Sequence, residues 1–185
     1  MFFEHIERVI HDCRIPDVFW EGYFGIIGIG LTLLLLKGNL KKYIRNSSLL
    51  LLIMYLVLIY CCTIIFRNTE IKDIHLMPMW SYYCILQGKI DFICDVLLNV
   101  ALFIPLGFLV GVYAGANKLI RVVIFTFFLS GGVETAQYFF HKGVPEIDDV
   151  LHNIVGGIIG YGFVVFLIRI SKLKFKKTIV MGCFL

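Results

Sequence analysis

The sequence predicts an all-α polytopic membrane protein: five transmembrane helices plus a short N-terminal amphipathic helix, with the N-terminus outside and the C-terminus inside. Three observations predict it. The 185-residue chain is 59% hydrophobic with a mean hydropathy of +0.89, more apolar than a soluble domain of this length requires. Its apolar runs, near residues 18–36, 49–66, 95–114, 119–140 and 150–169, are each about 18–22 residues long, and roughly 20 residues rising 1.5 Å apiece cross the hydrocarbon layer. The basic residues fall on alternate sides of those runs. Lys37, Lys41, Lys42 and Arg45 follow the first run, Lys118 and Arg121 follow the third, and Arg169, Lys172, Lys174, Lys176 and Lys177 close the last. The positive-inside rule converts that alternation into the stated orientation. The formal net charge of +4 is then a topology signal, and no nucleic-acid partner is expected.

The domain reading follows: a surface helix over 1–17, a five-helix membrane domain over 18–169, and a basic cytoplasmic tail over 170–185. In the first segment Phe2, Phe3, Ile6, Val9, Ile10 and Cys13 recur at helical spacing opposite Glu4, Arg8 and Asp12, the pattern of a helix lying on a membrane surface. Pro16 ends it, because the residue before a proline avoids helical geometry. Glu4, Glu7, Asp12 and Asp17 give this segment the wrong charge for a cleavable signal peptide.

The first span carries Gly22, Gly25, Gly28 and Gly30, a face suited to close helix packing in lipid. The second span ends at Phe66-Arg67, where an arginine can anchor the helix at the interface. The connection over 67–94 holds His75-Leu76-Met77-Pro78-Met79-Trp80-Ser81-Tyr82-Tyr83. Such a stretch suits an aromatic belt at headgroup level, or a half-buried lid over a pocket. Cys13, Cys84 and Cys94 share the outer side, so a disulfide among them is compatible with the topology; no metal-type cysteine spacing occurs.

The third span brings Asp91, Asp95 and Asn99 onto one face at intervals of four. Asp91 or Asp95 near the helix start complements its dipole, whereas Asn99 lies about one turn deeper. Pro105 is expected to kink this helix, with Gly107 and Gly111 beyond it. On the fourth span Ser130, Glu134, Gln137 and His141 share a face, with Glu134 about 10 Å from the outer end. Gly131 and Gly132 beside them would permit close backbone contact or a bend. Glu134 could simply pair with Arg67. The fifth span opens with Asp148-Asp149, both placed to cap it, and aligns Asp149, Asn153, Gly156 and Gly160 in one stripe. Four spans thus deliver Arg67, Asp95, Asn99, Glu134, Gln137, Asp148, Asp149 and Asn153 to the same third of the bundle. A charged group at a span's centre costs roughly 2.5–3.5 kcal/mol on insertion scales, and amide pairs across helices return only about 0.6 kcal/mol. A set of this size therefore points to a polar pocket.

The same residues carry a resemblance. Phe66-Arg67, Asp95-Val96-Leu97-Leu98-Asn99 with Phe103-Ile104-Pro105-Leu106-Gly107-Phe108, Glu134-Thr135-Ala136-Gln137, and Asp148-Asp149-Val150 with Asn153, Gly156-Gly157 and Gly160-Tyr161 resemble the VanZ-like family of bacterial membrane proteins. The resemblance runs from about residue 49 to 169. It departs at His141-Lys142-Gly143, where the family often has an arginine, and lysine is the poorer bidentate partner for an anion. The family likeness implies a multi-pass protein of the bacterial cytoplasmic membrane, acting in the cell envelope to lower sensitivity to teicoplanin-type glycopeptide and lipoglycopeptide antibiotics.

Two functional readings remain open at this level. In the first, the pocket binds a membrane lipid headgroup, a lipid-linked cell-wall precursor or a glycopeptide antibiotic; Arg67 and Lys142 meet anionic groups while Asn99, Gln137 and Asn153 orient the ligand. In the second, an intramembrane enzyme modifies such a substrate, with Glu134, Asp148 and Asp149 as candidate catalytic groups. No cofactor is evident, although the hard oxygen donors of those carboxylates would suit a divalent cation such as Mg²⁺ or Ca²⁺. Neither HExxH nor GxSxG occurs, nor a lipid-phosphatase-like combination of Lys, Arg and His. A transporter is a third reading, weakened by the lack of an internal repeat.

Overall fold

In the computed structural model, residues 24, 25, 28, 41–65, 77–115 and 118–182 are described, with backbone alone at 41–47 and 171–182. The surface helix over 1–17, nearly all of the first span, Arg67 and Cys13 lie outside the described residues. We label the helices α1 (Lys41–Tyr60), α2 (Trp80–Leu86), α3 (Asp91–Ala114), α4 (Leu119–Phe140) and α5 (Ile147–Gly182). A π-helical turn, Cys61–Ile65, extends α1. Four stretches are long and apolar enough to cross a membrane: Ser48–Ile65, Asp91–Ala114, Leu119–Phe140 and Ile147–Ile170. They match the second to fifth expected spans, with the third and fifth beginning three or four residues earlier. Helix α5 also continues through the segment read as a separate tail.

Contacts fix the relative directions. Gly156 faces Val100, Gly160 faces Ile104 and Phe108, and Gly111 faces Tyr161 and Val164, so α3 and α5 run parallel. Helix α4 is antiparallel to α5: the Lys118 N–H donates to the Tyr161 hydroxyl (2.9 Å) at one end, and Asn153 reaches Ser130 nearer the other. The α1 tyrosine Tyr55, fully buried, donates its hydroxyl to the Leu102 carbonyl of α3. That carbonyl lies on the turn whose hydrogen-bond ladder Pro105 interrupts. Helix α3 is otherwise continuous through Pro105.

The core sits where α1, α3 and α5 meet, around Tyr55, Ile59, Phe103, Leu106, Leu109, Tyr161 and Val164. Glycine sets the spacing between α3 and α5. A Cβ at Gly160 would overlap the Ile104 carbonyl and come within 2.7 Å of Phe108 N, and one at Gly107 would strike the Gly157 backbone. Only hydrogen fits at such a crossing. Gly131 and Gly132 differ from expectation. Among the described residues, a Cβ at either meets nothing within 4 Å, because both lie off the face of α4 that carries buried Val122, Thr126, Ser130, Val133 and Gln137. The face they occupy forms an open groove of about 680 Å³ edged by Phe127, Phe128, Phe139 and Phe140.

Candidate functional site

At one end of the bundle α1 finishes, α3 begins, α4 finishes and α5 begins, and the expected polar residues other than Arg67, which lies outside the described residues, fall there. Fully buried Gln137 donates from Nε2 to the Thr63 carbonyl at 3.1 Å. Thr63 lies in the π-helical turn, a geometry that loosens the regular ladder and presents carbonyls sideways. Its own hydroxyl bonds back to Ile59 O at 2.8 Å. Asn153, also buried, donates from Nδ2 to Ser130 Oγ at 2.7 Å. These bonds orient each amide, yet Gln137 Oε1 and Asn153 Oδ1 are buried with no partner among the described residues. Thr126 Oγ1, one turn below Ser130 on the same face of α4, is likewise unpartnered.

Helix α4 stops where His141 adopts a left-handed conformation (φ 54°) and the Lys142 N–H returns to Gln137 O at 2.9 Å, a helix-terminating turn. The loop then reverses to α5. Glu134 accepts the Glu146 N–H at 3.0 Å, so this half-buried carboxylate holds the start of α5 against the end of α4. Lys142 is half-buried in the same loop.

Asp148 corrects the sequence reading most clearly. Placed to cap its own helix, it instead caps α2. Its Oδ1 accepts the Met79 N–H at 2.7 Å and its Oδ2 the Ser81 N–H at 2.9 Å, and its side chain is almost wholly buried. A carboxylate on the first N–H groups of a helix satisfies donors that have no intrahelical partner. It also holds Met79 in a left-handed conformation (φ 67°) that a non-glycine residue seldom adopts. The Ser81 hydroxyl lies 3.5 Å from Glu146 Oε2. Part of the 67–94 connection is therefore neither plain loop nor free aromatic belt: it is a short helix clamped onto the bundle. Its turn into α3 uses Gly88 at φ 83°, with the Lys89 N–H returning to Cys84 O. Cys84 and Cys94, both buried, are free thiols, so no disulfide joins that pair.

Sequence reasoning missed His152. It is buried beside Asn153, with Nε2 3.2 Å from the Tyr82 hydroxyl and Nδ1 3.8 Å from Asp149 Oδ1. The available signal was its position three residues after Asp149, on the same turn of α5. Ser81, Tyr82 and Glu146 also gain roles only through tertiary contact, whereas Ser130 stands on the polar face expected of this span.

The structure thus brings together Glu134, Gln137, Asp148, Asp149 and Asn153, with Lys142 on the connecting loop. Asn99 is half-buried and precedes Val100, whose carbonyl faces Gly156, so it stands level with the first turns of α5. Asp95 is exposed at the start of α3. Among the described residues, no three of His, Cys, Asp and Glu converge in a way that could hold a metal ion. A family model for VanZ/LLP1 matches residues 50–169. No curated protein and no solved structure matches the chain.

Proposed function

The chain belongs to the VanZ/LLP1 family, and on that premise we propose that it lowers sensitivity to glycopeptide and lipoglycopeptide antibiotics through ligand binding at its polar end. In this reading it is a multi-pass protein of the bacterial cytoplasmic membrane, with the polar end facing outward and the C-terminus inside. The ligand is a lipid headgroup, a lipid-linked cell-wall precursor or the antibiotic itself.

The pair of buried, unpartnered amide oxygens, Gln137 Oε1 and Asn153 Oδ1, carries the proposal. Leaving a buried acceptor unsatisfied costs about 1–3 kcal/mol, which a ligand bringing O–H or N–H donors would recover. Sugars and peptide amides supply such donors in abundance. Lys142 and, from the sequence, Arg67 add positive charge for a phosphate, and Asn99 adds a further amide.

Catalysis through Glu134, Asp148 and Asp149 has weaker support. Both Asp148 oxygens are engaged by α2, and Glu134 receives the Glu146 N–H.

The test is expression in a susceptible Gram-positive host, with lipoglycopeptide susceptibility and surface binding of labelled antibiotic measured together. Wild type should reduce susceptibility several-fold. Gln137→Leu and Asn153→Leu, at normal membrane levels, should remove most of that protection, since each deletes about one hydrogen bond of roughly 1 kcal/mol. Unchanged susceptibility together with unchanged surface binding on expressing wild type would end the proposal.

A further inference from the structure

Three tyrosines near the polar end are similarly exposed: Tyr82 at 43%, Tyr138 at 47% and Tyr83 at 50%. Among the described residues, Tyr138 meets the ring of Phe139 and Tyr83 that of Trp80. Tyr82 alone among them touches a base, its hydroxyl standing 3.2 Å from His152 Nε2. His152 is 3% exposed, and its other nitrogen, Nδ1, has no hydrogen-bond partner but faces Asp149 Oδ1 at 3.8 Å. An ionised carboxylate can only accept, so it favours the tautomer with the proton on Nδ1. Nε2 is then left to accept the Tyr82 O–H. The two rings meet edge-on, 5.6 Å apart at 62°, and the Asp148 cap holds α2 against the bundle so the phenol keeps its place. Hydroxyl, imidazole and carboxylate in that order is the arrangement that activates an oxygen nucleophile.

We propose that Tyr82 is a nucleophile, with His152 as its base and Asp149 as a positioning residue, acting on carboxylic esters at the membrane boundary. Tyr82 Oη bonds to the ester carbonyl carbon as its proton passes to His152 Nε2. The tetrahedral centre expels the ester's alkoxide, which takes that proton and departs as an alcohol, leaving an acyl-tyrosine. Water then adds to the acyl carbon and gives a proton to Nε2. The phenolate leaves and recovers that proton, and the carboxylic acid is released. Beside Tyr82 an ester fits better than a phosphate because Glu146 and Asp148 are held against α2 and Asp149 against His152, and an uncharged carbonyl avoids their repulsion. The inference stands apart from antibiotic protection, and its test needs no antibiotic.

The full chain in lipid nanodiscs is treated with an aryl sulfonyl fluoride, and labelled tyrosines are quantified by peptide mass spectrometry. In that reaction an O–S bond forms, fluoride leaves and the phenol proton goes to His152. General-base assistance is worth about 10²–10⁴-fold in favourable cases, so Tyr82 should label at least ~10-fold faster than Tyr83 and Tyr138. His152→Gln keeps an amide donor for the phenol oxygen but is no base, and should lower the Tyr82 rate to that of Tyr83. Asp149→Asn should lower it in part, and Asp149→Glu should restore it. Equal rates at the three tyrosines in wild type overturn the proposal, as does an undiminished rate in a folded His152→Gln. If that variant fails to fold, the comparison within wild type decides. A second arm uses p-nitrophenyl acyl esters: a burst of about one nitrophenol per chain that vanishes in Tyr82→Phe supports the ester class, and no burst overturns it.

Discussion

Helix α5 meets its two main neighbours in opposite ways. Against α3 it presents Gly156 and Gly160, with its Gly157 backbone lying against Gly107, and the backbones approach so closely that side chains are excluded. Against α4 it sets Gly157 close to the Thr126 side chain, but towards the polar end Asn153 and, beyond the helix start, Glu146 engage Ser130 and Glu134 through polar atoms. The first contact is dispersion between well-fitted surfaces, which in lipid must replace a hydrophobic drive that lipid tails do not provide. The second leaves acceptors unused. A seam built for stability alone would resemble the α3–α5 contact along its whole length, so the polar seam is where function is to be sought.

The largest effect expected from this contrast is at Gly160. The atoms a methyl group would strike are backbone, Ile104 O and Phe108 N, which cannot rotate away. Overpacking usually costs 1–3 kcal/mol, and with rigid neighbours Gly160→Ala should lie at about 3 kcal/mol. Thermal unfolding in detergent, read by tryptophan fluorescence, should show a clear drop in midpoint. An unchanged midpoint would mean that α3 and α5 are farther apart than described.

A smaller and more local loss is expected at the polar end. Asp148→Ala removes the acceptor for the Met79 and Ser81 N–H groups. Hydrogen bonds to a charged group contribute about 1.5–3 kcal/mol, so α2 should detach while the long helices persist. Hydrogen exchange would detect this as lost protection over Trp80–Leu86, with α3 and α5 little changed. Equal loss of protection throughout the bundle would show instead that Asp148 supports the whole fold.

The same contrast explains what could be read from the sequence. The spans were legible because apolar length is a local property, and the polar end was legible because residues three and four apart share a helix face. Asp148 was recognisable as a capping carboxylate, but not as the cap of a helix nearly 70 residues earlier in the chain. His152 was hidden for a similar reason: within Leu151-His152-Asn153 it continues an apolar helix, and only Tyr82, brought by α2, gives it a partner. Helix α2 itself spans Trp80–Leu86, too short to reveal its period. At Gly131 and Gly132 the close contact that was one of two expectations is not made by any described residue, because glycine in a span signals close packing only when something packs there.

That last pair supplies the smallest and cleanest test. Helix α4 is the least enclosed of the four long apolar helices, and a Cβ at Gly131 or Gly132 has open space around it. Replacing an unconstrained helical glycine by alanine lowers the entropy lost on folding and typically gains about 0.5–1 kcal/mol. Gly131→Ala and Gly132→Ala should therefore leave the unfolding midpoint unchanged or slightly raised, opposite in sign to Gly160→Ala. A loss comparable to Gly160→Ala would place another helix against this face, and α4 would then have a glycine seam of its own.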